Sequence, residues 1–183
     1  KALKEHGSSK VNLTETDVDG FYYGFSNRTI WPLFHYFMEY TEFELDSWNT
    51  YVAVNQKFAN AILEKSDDDD TIWVHDYQLM LVPQMVRLQR PNVSIGFFLH
   101  IPFPSFEIFR TLPWREKILE GLLGSDLIGF HTYNYERHFL SSVRRLLGLE
   151  VSFNEIYMDD RVIKVDSFPM GIDYKKFSDA AKQ

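Results

Sequence analysis

The sequence has no cysteine, which rules out a disulfide framework and any thiolate-held metal and fits the cytoplasm. Basic charge is scarce: 19 Lys and Arg face 26 Asp and Glu, for a formal net charge of −7. Such a chain offers no positive field to a nucleic-acid backbone, although a phosphorylated small molecule needs only a few local cations. No segment approaches the ~20 apolar residues that span a bilayer. The stretch 1–10 is polar, lacks the apolar centre of a signal peptide and reads as a loop. No internal repeat occurs. The one low-complexity patch, 67–70, is four mutually repelling aspartates, which reads as a solvated loop rather than a metal site.

What is present suffices for one domain with a sizeable core, at 183 residues and 45% hydrophobic. Aromatics reach 16%. They fill cores, and they also form walls for sugar rings, whose apolar faces stack on them; composition alone favours the core.

Hydrophobic periodicity predicts alternating helices and strands. Ile30, Leu33, Phe34, Phe37 and Met38 mark a helix over 27–40. Tyr51, Val54, Phe58, Ala61 and Ile62 stripe a longer helix over 46–65, with Asp46 or Ser47 as its cap. A buried strand over 71–74 precedes a helix over 78–90 that stops before Pro91. Pro83 inside that span moves the start of the regular helix to 80–82. Next come a strand over 93–99, a helix over 114–123, a strand over 126–130 and a helix over 134–147 ended by Gly148. Two short strands close the series near 150–153 and 161–168. This order implies an α/β fold, a parallel sheet with helices on both faces, right-handed crossovers and ligands at the carboxyl ends of the strands.

That rule singles out His75-Asp76-Tyr77, His100-Ile101-Pro102 and His131-Thr132. Two readings of Asp76 stand: it caps the following helix, or its carboxylate accepts hydrogen bonds from sugar hydroxyls. In His100-Ile101-Pro102-Phe103-Pro104, two prolines fix a backbone shape. His100 there can donate to a hydroxyl, with a protonation state sensitive near neutral pH; the alternative is a satisfied histidine in a rigid loop. Tyr22 and Trp31 flank the start of the first helix, and each alone reads as core more readily than as a ligand wall. Arg28 and Arg144-Arg145 read as solvated, and the corner at Thr132 as structural. There is no P-loop, nucleophile elbow or dinucleotide fingerprint, and no histidine pair with helical metal-ligand spacing.

Several strings, taken in order across about the whole chain, resemble the trehalose-6-phosphate synthase family (glycosyltransferase family 20). They are Phe25-Ser26-Asn27 with Trp31-Pro32-Leu33-Phe34-His35-Tyr36, then Trp73-Val74-His75-Asp76-Tyr77-Gln78-Leu79, and Gly96-Phe97-Phe98-Leu99-His100-Ile101-Pro102-Phe103-Pro104. Glu107-Ile108-Phe109, Asp126-Leu127-Ile128-Gly129-Phe130 and Phe168-Pro169-Met170-Gly171-Ile172-Asp173 complete the set.

The resemblance implies the N-terminal, acceptor-side half of a GT-B glycosyltransferase. An incomplete Rossmann-like domain would occupy 1–170, and 171–183 would begin a hinge to a nucleotide-sugar domain. By the same resemblance, Tyr22 and Trp31 line a glucose 6-phosphate pocket, Asp76 binds the acceptor's hydroxyls, and His100 contacts the donor glucose near the reacting centre. His100 and Asp76 are the implied catalytic positions, and Ile101 with Trp31 governs which acceptor anomer is used. The implied reaction joins glucose from UDP-glucose to glucose 6-phosphate with retention, the leaving phosphate helping to deprotonate the acceptor, with no metal or other cofactor. It also implies a cytoplasmic protein without nucleic-acid or membrane partners, and leaves room for a homo-oligomer of the full-length protein. Gln78 departs from the histidine that the family often carries there. In the family, a strand and a phosphate-touching loop precede the matched region, and the residues gripping the UDP pyrophosphate follow it. The fragment alone is therefore expected to be inactive, with an open sheet edge. Two other readings remain: a relative using another acceptor, such as a glucosylglycerol-phosphate synthase, and a catalytically silent regulatory or sugar-phosphate-binding homologue.

Overall fold

A computed structural model describes residues 7–158 and 160–182; the first six residues of the loop expected over 1–10 lie outside them. A short helix, α1 (Glu15–Val18), starts at a capping box in which Thr14 Oγ1 accepts from Asp17 N at 3.1 Å and Thr14 N donates to the Asp17 carboxylate at 2.8 Å. It continues into a π-helix over Asp19–Ile30 and a helical turn, α2 (Trp31–Phe34). The helix expected over 27–40 is therefore displaced. It begins well before residue 27 and ends at His35, where the chain turns through Tyr36 at φ 67°.

The next helix, α3 (Leu45–Lys65), packs on the π-helix. A Cβ on Gly20 would come within 2.7 Å of Thr50, and one on Gly24 within 2.6 Å of Ser47. Bare backbone on that side lets the wide helix lie against α3. The cap position of α3 is Glu44 rather than Asp46 or Ser47; Ser47 Oγ instead donates to the Glu44 carboxylate at 3.2 Å.

The sheet holds β1 (Thr71–His75), β2 (Ser94–Phe98), β3 (Leu127–Phe130), β4 (Glu150–Ser152), β5 (Glu155–Tyr157) and β6 (Val162–Ser167), in the order β1-β2-β3-β6-β5-β4. The α/β class holds, with two corrections. First, the sheet is mixed. β1, β2, β3 and β6 are parallel, but the chain after β4 reverses through Phe153, at φ 51°, and β4 and β5 form an antiparallel hairpin on the flank of β6.

Second, helices cover one face, not two, among the described residues. A turn over Tyr77–Leu79 leads to α4 (Val82–Arg87), with Pro83 in its first turn as expected. Then come α5 (Phe106–Phe109), α6 (Arg115–Leu122), α7 (Tyr133–Leu147) and, past β6, α8 (Tyr174–Ala180). The four parallel strands are laid down in sequence in one direction, so successive right-handed crossovers put their helices on the same side. There α4 packs on β2, and α7 on β3 and β6. Ile72, Val74, Phe97, Ile128 and Val165 are buried beneath, while Trp73 and Leu127, pointing the other way, are 66% and 38% exposed.

The core is strongly aromatic. Phe103, from the loop after β2, sits at its centre, with ring centroids 5.4 Å from Phe34 of α2, 4.9 Å from Phe109 of α5 and 5.3 Å from Phe139 of α7. Gly124 lets the end of α6 close on α4, because a Cβ there would run into the backbone of Pro83 and Gln84. Arg87, buried in α4, donates to the carbonyls of Pro91, Val93 and Gly124 and to the Asp126 carboxylate at 2.7 Å. That carboxylate also accepts from Ile95 N, joining the starts of β2 and β3.

Phe103→Ala is expected to lower the unfolding free energy by about 3–5 kcal/mol through the cavity it leaves, and Gly124→Ala by about 1–3 kcal/mol through overpacking. Denaturant midpoints at unchanged slope measure both; a midpoint within error of the parent for Phe103→Ala would show that this ring does not organise the core.

Candidate functional site

The carboxyl ends of β1, β2 and β3 lie at one edge of the sheet because the strands are parallel. β1 ends at His75, and the next residue, Asp76, takes φ 72° and ψ 171°. That backbone region is populated almost only by glycine and costs another residue about 1–3 kcal/mol. Three hydrogen bonds hold it. Asp76 N donates to Phe98 O at 2.8 Å, and the carboxylate oxygen Oδ1 accepts from Tyr77 N at 3.0 Å and from His100 N at 3.2 Å. An amide bond to a charged acceptor contributes about 1.5–3 kcal/mol, so two such bonds offset the strain. Asp76 thus caps the turn that follows it. Its other oxygen, Oδ2, has no protein donor among the described residues, and so both readings of this carboxylate are compatible.

The turn after Asp76 is fixed from behind by α3. Tyr51 OH donates to Tyr77 O at 2.8 Å and accepts from Met80 N at 3.1 Å. Asn55 Nδ2 donates to Gln78 O at 3.0 Å, and its Oδ1 accepts from Leu81 N at 3.2 Å. Burial pushes the Tyr51 phenol far up, so it remains a donor. Tyr77 OH donates to Asn27 Oδ1 at 3.1 Å. Burial, then the Asp76 carboxylate and Tyr22, push the Tyr77 pKa up to about 12. This bond fastens the π-helix that carries Tyr22 to the end of β1.

The loop after β2 is anchored by Phe103. His138 Nδ1 lies 3.2 Å from Phe103 O; a carbonyl only accepts, so this nitrogen carries the hydrogen. Tyr36 OH accepts from Ser105 N at 2.8 Å, tying the turn after Trp31 to the same loop. The His100 ring points over the open sheet face, its Nε2 3.0 Å from His75 Nδ1. Ring centroids of Phe98 and His131 lie 4.8 Å and 5.5 Å from it. Burial first, and His100 second, hold His75 below the ordinary histidine pKa, partly offset by Asp76. The rings border a groove of about 510 Å³ lined by Trp73, Phe98, Leu127, Phe168 and Met170. Gly129 forms part of its floor, where a Cβ would sit 2.6 Å from the Phe98 ring.

Among the residues singled out in the sequence, His100 and Asp76 are brought into direct contact. Trp31, 41% exposed, stacks on His35 at 4.1 Å, and His35 Nδ1 donates to Trp31 O at 2.7 Å. Tyr22, 42% exposed, meets Tyr23 edge-on at 5.3 Å. Neither ring stacks on His100; the Asn27–Tyr77 and Tyr36–Ser105 bonds connect their segments to the strand ends. Ile101 is 9% exposed and packs in the core directly beside His100 in sequence. The sequence did not point to Asn27, Tyr36, Asn55 or His138 as supports. Asn55 left a usable signal, a polar side chain one turn from Tyr51 on an apolar stripe, which must find partners when buried. Among the described residues no cluster of three or more His, Cys, Asp or Glu is arranged to hold a metal, and no helix is long and apolar enough to cross a membrane.

The model of glycosyltransferase family 20 matches residues 1–183. The UDP-forming alpha,alpha-trehalose-phosphate synthase A of Dictyostelium discoideum is 47% identical over 179 residues, covering 98% of this chain and 24% of its own length. A UDP-forming alpha,alpha-trehalose-phosphate synthase of Burkholderia xenovorans, solved in complex with glucose 6-phosphate, is 32% identical with a TM-score of 0.84, covering 93% of this chain and 38% of that one. The N-terminal domain of Candida albicans trehalose-6-phosphate phosphatase is 38% identical with a TM-score of 0.84, covering 99% and 39%. The chain therefore spans well under half the length of these relatives. Matched from its first residue to its last, it belongs to glycosyltransferase family 20.

Proposed function

We propose that this chain forms the acceptor-side wall of the active site in a UDP-forming alpha,alpha-trehalose-phosphate synthase, which transfers glucose from UDP-glucose to glucose 6-phosphate with retention. The observation that carries this reading is Asp76. A carboxylate held in a strained turn commits one oxygen to the His100 amide and leaves the other free at the strand ends. The relatives' names and the glucose 6-phosphate complex support it.

In this reading Asp76 Oδ2 accepts hydrogen bonds from hydroxyls of the acceptor, and the exposed faces of Tyr22 and Trp31 stack on its ring. His100 donates to a hydroxyl of the donor glucose, and Ile101 with Trp31 selects the acceptor anomer. Charge develops at the anomeric carbon as UDP departs, so dipoles fixed in advance lower the barrier, and holding both sugars together removes its entropic part. The leaving phosphate receives the acceptor's proton, which dispenses with an enzymic base, a metal and a cofactor. Residues 1–170 act as the acceptor domain and 171–183 as the start of a hinge, in a cytoplasmic protein.

A second reading has a specific observation behind it. A chain of nearly the same fold is the N-terminal domain of a protein named as a phosphatase, so a sugar-phosphate-binding homologue without transferase activity remains the competitor.

The full-length protein, given UDP-glucose and glucose 6-phosphate, is expected to release UDP and form trehalose 6-phosphate, whereas the isolated 183-residue chain is expected not to. Binding of glucose 6-phosphate without turnover would favour the silent homologue, and preference for glycerol 3-phosphate would favour another acceptor.

Asp76→Gly separates strain from function. The relieved backbone offsets the lost bonds only in part, so unfolding free energy should fall by about 2–3 kcal/mol while kcat/KM falls about 100-fold or more; retained activity would exclude Asp76 from the site. Trp31→Ala should raise KM for glucose 6-phosphate about tenfold, with kcat nearly unchanged, as loss of a stacking surface requires.

A further inference from the structure

We propose that His75 is a positioning residue for His100, fixing through one imidazole–imidazole hydrogen bond the nitrogen on which His100 carries its hydrogen. This deepens the reading of His100 as a donor-sugar contact and rests on it. A bond between two ring nitrogens needs one N–H and one lone pair. His75 Nδ1 and His100 Nε2 are 3.0 Å apart, so the neutral pair has two states. Either His75 donates, and His100 carries its hydrogen on Nδ1, or His100 donates from Nε2, and its Nδ1 is bare. The outward end of His100 is a donor in the first state and an acceptor in the second.

The surrounding charges select the first state. Nδ1 is the ring nitrogen nearer the backbone, and the His100 backbone N–H is bonded to the Asp76 carboxylate. Negative charge on that side favours a hydrogen on Nδ1. His100 Nδ1 has no protein partner among the described residues and is left to present that hydrogen to a ligand.

The pair also keeps this donor when it takes up a proton. With one added proton the pair still has a single hydrogen in the contact, whichever ring holds it. The Nδ1–H of His100 is in place in either case, because the contact itself uses only Nε2 of that ring. Only a second proton sets two N–H groups against each other and breaks the contact. The titratable groups that face the pair are Asp76 after β1 and His131 after β3, whose ring lies 5.5 Å from His100. The Asp76 carboxylate partly offsets the lowering of His75.

The sign for stability follows. His75 is lowered in the folded chain relative to its ordinary value of 6.5. Its contribution is therefore complete above pH 6.5 and is lost as pH falls below that value through the folded pKa.

The test is imidazole 1H–15N correlation spectroscopy on the full-length protein labelled with 15N at histidine, for the parent, His75→Phe and His75→Gln. At about pH 7.5, above the ordinary histidine range, the parent should show His100 as a fixed tautomer with hydrogen on Nδ1. In His75→Phe the two nitrogens should average towards a mixture richer in the Nε2–H form, and the side-chain amide of His75→Gln should restore the Nδ1–H form. In the full-length protein His75→Phe should lower kcat about tenfold, the worth of one hydrogen bond, with KM little changed and most of the loss recovered in His75→Gln. An unchanged His100 tautomer in a folded His75→Phe would overturn the proposal. So would a parent spectrum showing the Nε2–H form or a mixture, a result that needs no variant to fold. A fixed Nδ1–H tautomer in a full-length protein that transfers no glucose would leave the positioning intact and sink only the functional reading.

Discussion

One carboxylate oxygen ties the ends of the first two strands together. Asp76 Oδ1 accepts from the amide that starts its own turn and from the amide of His100, which belongs to the next strand's loop. Without those two bonds only the Asp76 N–H bond to Phe98 O would oppose the strain of a backbone conformation that an aspartate otherwise avoids. With them, the strain is held at the carboxyl ends of the strands. The same contact fixes the distance between Asp76 and His100 and leaves the second oxygen of the carboxylate unused by the protein.

This contact works because both partners are backed by rigid packing. Behind Asp76, Tyr51 and Asn55 project from α3 and satisfy the amides and carbonyls of residues 77–81 one by one. Behind His100, Phe103 is locked among Phe34, Phe109 and Phe139, and Pro102 and Pro104 limit the loop's freedom. The segment bearing Tyr22 and Trp31 is joined to both turns by hydrogen bonds and to the core by Phe21, Phe25, Leu33 and Phe34, while the Tyr22 and Trp31 rings themselves stay exposed. A stiff polar centre beside exposed aromatic side chains suits a ligand that is both hydroxylated and ring-shaped.

The open face of the sheet has a topological origin. Four parallel strands added in one direction receive all their crossover helices on one side, so Trp73, His75, Phe98 and Leu127 border a groove instead of a helix. The histidine pair stands at the end of that groove, partly shielded by aromatic rings and still reachable from solvent. Partial burial disfavours a second charge on the pair while leaving its outward nitrogens available to a ligand.

Periodicity alone determined most of the elements. The strands at β1, β2 and β3 and the helices α3, α6 and α7 lie within a residue or two of where apolar spacing put them, because those signals are local. Helix α4 starts where Pro83 put it but ends at Arg87, short of the expected residue 90. The short strings around Asp76 and His100 likewise marked the chemistry, since in a parallel sheet the strand ends are known once the strands are. Tertiary structure decided the rest. The π-helix depends on Gly20 and Gly24 meeting α3, the hairpin on a reversal at Phe153, and the bare sheet face on the order in which strands were added. The partners of Asp76 and of His75 lie 24 and 25 residues away in sequence. Spacing along a chain carries no record of which distant amide or imidazole will arrive there; only the register of β1 on β2 brings them together.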